Sequence, residues 1–348
     1  MPTSKQQGRV AGFLRDPYAL AHIAYQLWPF ATVEVVNEMI EETSLFEACV
    51  EPIEWYLKRK RRGGRRPICE FGYEQHFRHA VIRHALDAQL PVNHPFYDVR
   101  RAGPGRAVID IAQAIEGGRQ WIWAADIRDC FCSIDIRAVY QLCLLPTEVI
   151  RCALDYRHLP LQRKENARRP NGAMSRFVSS TSISEGEGPR GLLQGSPASN
   201  ALLRHILFKV TRCVHPDARL FVYSDNIIVV APTPEICGHV RDALTCELAG
   251  CLGGPLRFGT SLIQHASEGL QTLGYYLGQE ENGGEVIRQP DNHNLGRLEG
   301  RIPDDILSLG DIDRERLAKV LLAPFPAADD QFRELFRETL HLSPRIAS

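Results

Sequence analysis

Leu220-Phe221-Val222-Tyr223-Ser224-Asp225-Asn226-Ile227-Ile228-Val229-Val230-Ala231 is the stretch that decides the fold. Two short apolar runs, rich in β-branched and aromatic residues, flank the polar break Ser224-Asp225-Asn226. The pattern predicts a β-hairpin with a carboxylate at its tip. The flanking side chains are almost all apolar, so both strands belong inside a domain and hold the turn on a rigid base. Aspartate favours turns for its own reasons, so the chemistry of Asp225 depends on a second carboxylate with a similar address.

Trp121-Ile122-Trp123-Ala124-Ala125 is a second strand-like run, and it ends in Asp126. If the two strands are neighbours in one sheet, Asp126 and Asp225 lie side by side at its edge. Two carboxylates so placed bridge a pair of Mg²⁺ ions about 3.5–4 Å apart, the arrangement that clamps attacking and leaving oxygens in phosphoryl transfer. Mg²⁺ takes oxygen ligands and keeps several waters, so two carboxylates plus substrate phosphates suffice.

Between them lies Gly191-Leu192-Leu193-Gln194-Gly195-Ser196-Pro197-Ala198-Ser199-Asn200. With this block the chain resembles a reverse transcriptase of the bacterial, group II intron-like or defence-associated type. Asp126–Asp135 resembles the family's first catalytic motif, an Asp followed by an aromatic and then Ser-Ile-Asp. Leu193–Pro197 is similar to its Leu-Pro-Gln-Gly-Ser-Pro block, with Leu193 where Pro is usual. Tyr223-Ser224-Asp225-Asn226 resembles the Tyr-x-Asp-Asp box, with Asn226 in place of the second Asp. That departure removes one negative charge beside the metals and bears on the choice between Mg²⁺ and Mn²⁺. The resemblance extends over residues 60–290.

The resemblance implies an α+β right-hand polymerase: N-terminal helices and fingers over 1–110, an antiparallel-sheet palm over 111–285, and a short helical thumb over 286–348. It implies an RNA-directed DNA polymerase in which Asp126, Asp225 and the Ile127 position hold two Mg²⁺ ions, or Mn²⁺, with Asn226 adjacent. Arg65-Arg66-Pro67-Ile68 resembles the family's Arg-Pro-Ile element, where a hairpin Arg grips the incoming triphosphate. Arg66 takes that role, since a planar guanidinium makes bidentate phosphate contacts, and Arg59 and Lys60 are candidates for a second cation. Phe131 stands where an aromatic lies beneath the sugar and leaves no room for a 2′-hydroxyl, although a core phenylalanine would read the same way. Gln194 corresponds to a residue that contacts the sugar, and Gly195 to a close approach of backbone to substrate. Arg100-Arg101-Ala102-Gly103-Pro104-Gly105-Arg106-Ala107 is similar to a Gly-Phe-Arg-Pro-Gly-Arg-Ser turn, which makes Arg101 and Arg106 template contacts. Leu270–Gly278 resembles the Leu-Gly-Tyr primer grip, with Gly274 and Tyr275 at the primer.

The implied partners are dNTPs, a DNA product and an RNA template, which can be a dedicated non-coding RNA, with a protein partner or a second copy of the chain. The implied setting is bacterial antiphage defence in the cytoplasm. A catalytically weak relative, acting as a nucleic-acid-binding subunit of a larger complex, is the alternative that Asn226 keeps open.

Composition sets only broad bounds. At 348 residues, with 44% hydrophobic and 24% charged residues, the chain is of ordinary globular make-up and long enough for several subdomains. No apolar run approaches the roughly 20 residues that span a bilayer, and Met1–Arg9 lacks the apolar core of a signal peptide. Ten cysteines without a Cys-x-x-Cys pair read as reduced, mostly buried thiols. The net charge is −1, yet Lys58–Arg66 holds seven cations in nine residues, which reads as a basic hairpin.

Elsewhere, apolar spacing predicts helix through residues 14–57 with a break at Trp28-Pro29, then over 74–89, 108–115, 236–252 and about 302–342. His76 and His79 fall one turn apart without a metal-binding pattern, so they are expected at the surface or facing template. Asp129 is expected to be a surface carboxylate. Asp135 and Ser196, with Pro197 next, are expected to cap helices. Residues 155–190 read as the least regular part, basic and then flexible.

Overall fold

The computed structural model describes residues 4–60, 64–91, 94–99, 103–164, 188–212, 214–279, 284–302 and 310–340. The chain begins with α1 (Ser4–Phe13), α2 (Pro17–Leu27), α3 (Val33–Glu42), β1 (Ile53–Arg59), β2 (Arg65–Glu70), α4 (Tyr73–Asp87) and α5 (Pro104–Glu116). It continues with β3 (Trp121–Asp126), α6 (Cys130–Ser133), α7 (Arg137–Leu142), α8 (Thr147–Ala153), β4 (Leu161–Arg163) and α9 (Pro197–Val210). Then come β5 (Arg219–Tyr223), β6 (Asn226–Ala231), α10 (Pro234–Ala249), β7 (Ile263–His265), β8 (Leu270–Thr272), β9 (Tyr275–Gly278) and β10 (Ile287–Pro290). Three helices close the described chain: α11 (Asn292–Glu299), α12 (Asp311–Leu322) and α13 (Asp330–Thr339). The fold is mixed α+β and its sheets are antiparallel, save for one parallel pairing of β1 with β4.

The chain divides into two units. The first takes Met1–His94, Asp129–Val210 and Leu248–Leu256. Its sheet has the order β2-β1-β4. Ile53 and Trp55 are buried while Glu54 and Tyr56 are not, the period-two alternation of a strand with one covered face. This corrects the helical expectation for residues 53–57, where aromatic and β-branched side chains serve a pleated surface better than a helix. Ile53, Trp55 and Cys69 form the sheet's core with Leu159 and Leu193, and burial pushes the Cys69 thiol up to about 12.

Helix α4 packs on α9. The start of α9 follows expectation: Pro197 is its first residue, and the Ser196 hydroxyl accepts the Ala198 N–H at 3.1 Å. That hydroxyl also lies 2.5 Å from Nδ1 of His79. His79 is only 1% exposed, which corrects its surface assignment. Burial, helped by neighbouring Arg78 and His76, lowers its pKa to about 3 and keeps the ring neutral. The neutral ring and the seryl hydroxyl thus share a hydrogen bond in the interior. His76 is half-buried, with its ring against Trp28.

The second unit takes Pro95–Arg128, Thr211–Glu247 and Arg257–Ser348. Its main sheet has the order β5-β6-β3-β7, antiparallel throughout. The predicted hairpin is present as β5 and β6, joined by the two residues Ser224-Asp225. Val108, Ile111 and Ile115 of α5 cover this sheet through Ile122, Phe221, Ile228 and Val230. A second sheet, β10-β9-β8, shares that core through Tyr275 and Leu277. Helices α11, α12 and α13 enclose a smaller core of Leu298, Leu321, Phe332 and Phe336. Most of residues 155–190, and the ends of the predicted C-terminal helical stretch, lie outside the described residues. Among the described residues nine cysteines are free and five of these are buried. No helix among them is long and apolar enough to cross a membrane.

Candidate functional site

The site begins with the ladder between β3 and β6. Their register pairs Trp121 with Ala231 and ends by pairing Asp126 with Asn226. Across β5 and β6, Tyr223 pairs with Asn226, which leaves Ser224 and Asp225 as the turn. The Ile127 N–H donates to the Asp225 carbonyl at 2.9 Å, so the ladder continues one step past Asp126. Asp126 and Asn226 are thus a pair flanked by hydrogen bonds rather than sharing them, with Cα atoms about 4.5 Å apart and side chains on the same face. Asp225 immediately precedes Asn226 in the chain. Sheet register alone brings the two predicted carboxylates to adjacent strand ends.

Ser224 occupies the left-handed region with φ of 55°. Such backbone costs a residue with a Cβ on the order of 1 kcal/mol, so the surrounding ladder holds the turn in place. The Asn226 amide donates to Oδ1 of Asp225 at 3.2 Å and lies 3.4 Å from the Tyr223 carbonyl. The amide therefore ties the turn carboxylate to the face that Asp126 occupies. In an extended residue the N–H and C=O point to the same strand edge, so the Ile127 carbonyl faces the Asp225 turn along with its N–H. This is the only way Ile127, whose side chain has no donor atom, can serve a metal.

Two carboxylates and one carbonyl make an all-oxygen donor set, which suits a hard cation such as Mg²⁺ or Mn²⁺. Among the described residues no group of three or more His, Cys, Asp and Glu side chains converges to hold a metal by itself. An ion here must complete its shell with water or phosphate oxygens.

No family model matches the chain, and no curated protein matches it. Among solved structures the chain is similar to telomerases. Apo telomerase from Candida tropicalis matches with a TM-score of 0.47 at 10% identity, covering 84% of this chain and 57% of that one. A form of it truncated from the C-terminal domain gives 0.40 at 12% identity over 70% and 56%. Telomerase from Candida albicans, in complex with the TWJ fragment of telomeric RNA, gives 0.39 at 11% identity over 85% and 57%. This chain spans little more than half the length of each. Values this low leave the chemistry to be read from the chain's own residues.

In the first unit, three of the predicted nucleotide-binding positions are drawn together by main-chain bonds. The Leu192 N–H donates to the Phe131 carbonyl at 2.9 Å, and the Cys69 N–H donates to the Gln194 carbonyl at 2.7 Å. The Gly191–Gly195 block is thus fixed between α6 and the free edge of β2, the strand that carries Arg66. Gly195 has φ of +110°, and a Cβ there would lie 2.2 Å from the Cys69 carbonyl oxygen. Gly195 therefore makes a close approach to its own chain, at Cys69. Gly191 meets the Phe131 carbonyl in the same way, with φ of +65°. The Gln194 side chain reaches Sγ of Cys132 at 4.0 Å, and its buried Oε1 has no hydrogen-bond partner among the described residues. Phe131 is half-buried.

The basic segment forms the expected hairpin, and its register sorts the cations. Lys58 pairs with Arg66, and Arg59 pairs with Arg65. Cross-strand partners share a face and successive residues alternate, so Arg59 points away from the face of Arg66. All four are exposed. The second cation on the Arg66 face is Lys58, not Arg59. Sequence reading missed it because register depends on the connection between the two strands, which residue order does not reveal. Lys60 is engaged in an ion pair with Asp129, which is an exposed carboxylate as expected. The N-cap of α7 is Ile136, one residue on from the Asp135 expected there; the Asp135 carboxylate accepts the Arg137 N–H at 2.9 Å, and Arg137 holds it below the usual range.

The primer-grip stretch is a hairpin, not a single strand. Leu273 and Gly274, with φ of 51° and 86°, turn β8 into β9. Tyr275 is 2% exposed; its hydroxyl accepts the Ala327 N–H at 3.3 Å and its ring meets Phe325 edge-on. Its side chain serves the core, so a primer contact at this turn falls to Gly274 and the main chain. Arg106 is exposed on the first turn of α5 and ion-paired with Asp110 at 2.9 Å. Arg101 lies outside the described residues. One further residue at the acidic pair, Gly259, gave no signal in the sequence.

Proposed function

We propose that the chain is a reverse-transcriptase-like nucleotidyltransferase, an RNA-directed DNA polymerase that adds deoxynucleotides by two-metal phosphoryl transfer. The observation that carries this reading is the pairing of Asp126 with Asn226, which sets Asp126 beside the Ser224-Asp225 turn. In this reading Asp126 and Asp225 hold two Mg²⁺ or Mn²⁺ ions with help from the Ile127 carbonyl. Bound ions would supply Lewis-acid activation of the primer 3′-hydroxyl and charge neutralisation at the departing pyrophosphate. Arg66, joined by Lys58, grips the triphosphate. Gln194 contacts the sugar, and Phe131 disfavours a 2′-hydroxyl by offering it neither room nor a hydrogen bond. Arg106 and the Gly274 turn take the template and primer strands. The setting that fits is bacterial antiphage defence in the cytoplasm, with an RNA template or dedicated non-coding RNA and a protein partner or second copy.

A catalytically weak, nucleic-acid-binding subunit is the second reading. The Asn226 amide, bonded to Asp225 where the family's box has a carboxylate, favours it.

Incubating the purified protein with each dNTP or NTP, with Mg²⁺ or Mn²⁺ and with or without co-purified RNA, separates the two. The polymerase reading expects dNTP incorporation that falls on the order of 10³-fold or more in Asp225→Ala, since a metal supplies several kcal/mol of transition-state stabilisation. Nucleic-acid binding without incorporation would favour the second reading. Incorporation that survives Asp225→Ala would overturn the first.

A further inference from the structure

The Arg257–Ser261 segment is attached to the end of β3 on the side opposite β6. Ile127 bridges Phe258 in antiparallel fashion, the Gly259 N–H donates to the Asp126 carbonyl at 2.8 Å, and the Arg128 N–H donates to the Arg257 carbonyl at 2.8 Å. Phe258 meets Trp123 edge-on at 4.9 Å, and Nε1 of Trp123 donates to the Ser261 hydroxyl at 2.8 Å. This register makes Gly259 the cross-strand partner of Asp126, on the same face. Asn226, Asp126 and Gly259 form one row across the sheet end.

A Cβ at Gly259 would lie 3.0 and 3.3 Å from the two carboxylate oxygens of Asp126 and 3.4 Å from its Cγ, and these are the three nearest atoms it meets. Its φ lies outside the left-handed region, so the backbone would accept alanine. The backbone does not require glycine here; the three atoms nearest to a side chain at this position all belong to the acidic residue. Gly191 and Gly195 differ, since each pairs a left-handed φ with a collision against main chain.

We propose that Gly259 is a positioning residue for divalent-cation binding: its bare Cα leaves the flank of the Asp126 carboxylate open to the ion and lets that carboxylate keep its orientation. The inference rests on the two-carboxylate reading of Asp126 and Asp225. A methyl group at 259 turns the carboxylate toward Asn226 and fills the space a hydrated ion needs.

Mn²⁺ binding to the purified full chain, followed by electron paramagnetic resonance of the free ion, tests this without any turnover. Wild type should bind Mn²⁺ in a manner lost in Asp126→Ala. Gly259→Ala should bind about tenfold more weakly, the usual cost of disturbing a ligand's support. Gly238→Ala, whose nearest contact is Ile263 at 3.8 Å, should bind as wild type. The Mg²⁺ concentration for half-maximal dNTP incorporation should rise by a similar factor in Gly259→Ala, with the dNTP KM unchanged. Any stability lost in Gly259→Ala should be absent when the same change is made in Asp126→Ala, where the atoms it meets are gone. Mn²⁺ affinity in Gly259→Ala equal to wild type, or a stability cost that persists beside Asp126→Ala, overturns the proposal. Absence of any Asp126-dependent binding in wild type overturns the two-carboxylate reading beneath it.

Discussion

Asn226 shares a face with Asp126 and donates to Asp225, so it touches both members of the acidic pair. An amide there screens one carboxylate from the other when no cation is present. Asn226→Asp removes the donor and sets like charges directly opposite each other across the ladder, at a cost of roughly 0.5–1 kcal/mol. We expect this variant to be less stable than wild type in EDTA by denaturant titration, and to recover on adding Mg²⁺, since a third carboxylate raises cation affinity. Equal stability in EDTA would mean that the carboxylates do not lie near residue 226. At this scale the sequence was most informative where chemistry and element boundary coincide. Asp126 and Asp225 each terminate an apolar run and could be placed at strand ends from that alone. Gly259 could not, because nothing in Arg257-Phe258-Gly259 marks it as the third member of the row; only the pairing of a distant segment makes it so.

Between elements, register carried what residue order did not. The basic hairpin was legible from its cations and glycines, but the sorting of Lys58 with Arg66 and Arg59 with Arg65 follows from the strand register. The dNTP KM should therefore rise about tenfold or more in Lys58→Ala and Arg66→Ala, the loss of a charge-assisted phosphate contact, and stay near wild type in Arg59→Ala. Equal effects at 58 and 59 would contradict the face assignment. The α4–α9 contact was hidden for another reason. His79 reads as polar in an amphipathic pattern, yet the Ser196 hydroxyl lets a neutral ring be buried. Its folded pKa of about 3 lies below the ordinary histidine value of 6.5, so the unfolded chain binds the extra proton and stability falls as pH drops below about 6.5. Between pH 7 and pH 4 the loss from His79 alone is about 3 kcal/mol. His76 and His205, both lowered by burial, act in the same direction. His79→Gln should flatten the dependence of stability on pH in that window, and an unchanged slope would show that His79 is not buried in the neutral form.

For the whole molecule, the mixed α+β class and the antiparallel sheet around the hairpin were legible because short apolar runs with turn residues between them leave few alternatives. The strand at Ile53–Arg59 was misread, since its alternation is brief and follows three helices. The order of β5, β6, β3 and β7 was legible only in part: the hairpin fixes β5 with β6, but nothing local dictates that β3 lies beside β6. That one neighbour relation makes the difference between two isolated aspartates and a pair, and every role proposed for the other residues presumes it. Diffraction from crystals soaked in Mn²⁺ with a dNTP, recorded at a wavelength where manganese scatters anomalously, measures it most directly. Two anomalous peaks about 3.5–4 Å apart, contacted by the carboxylates of both Asp126 and Asp225, are the expected result. Manganese bound to only one of them, or to neither, would contradict it.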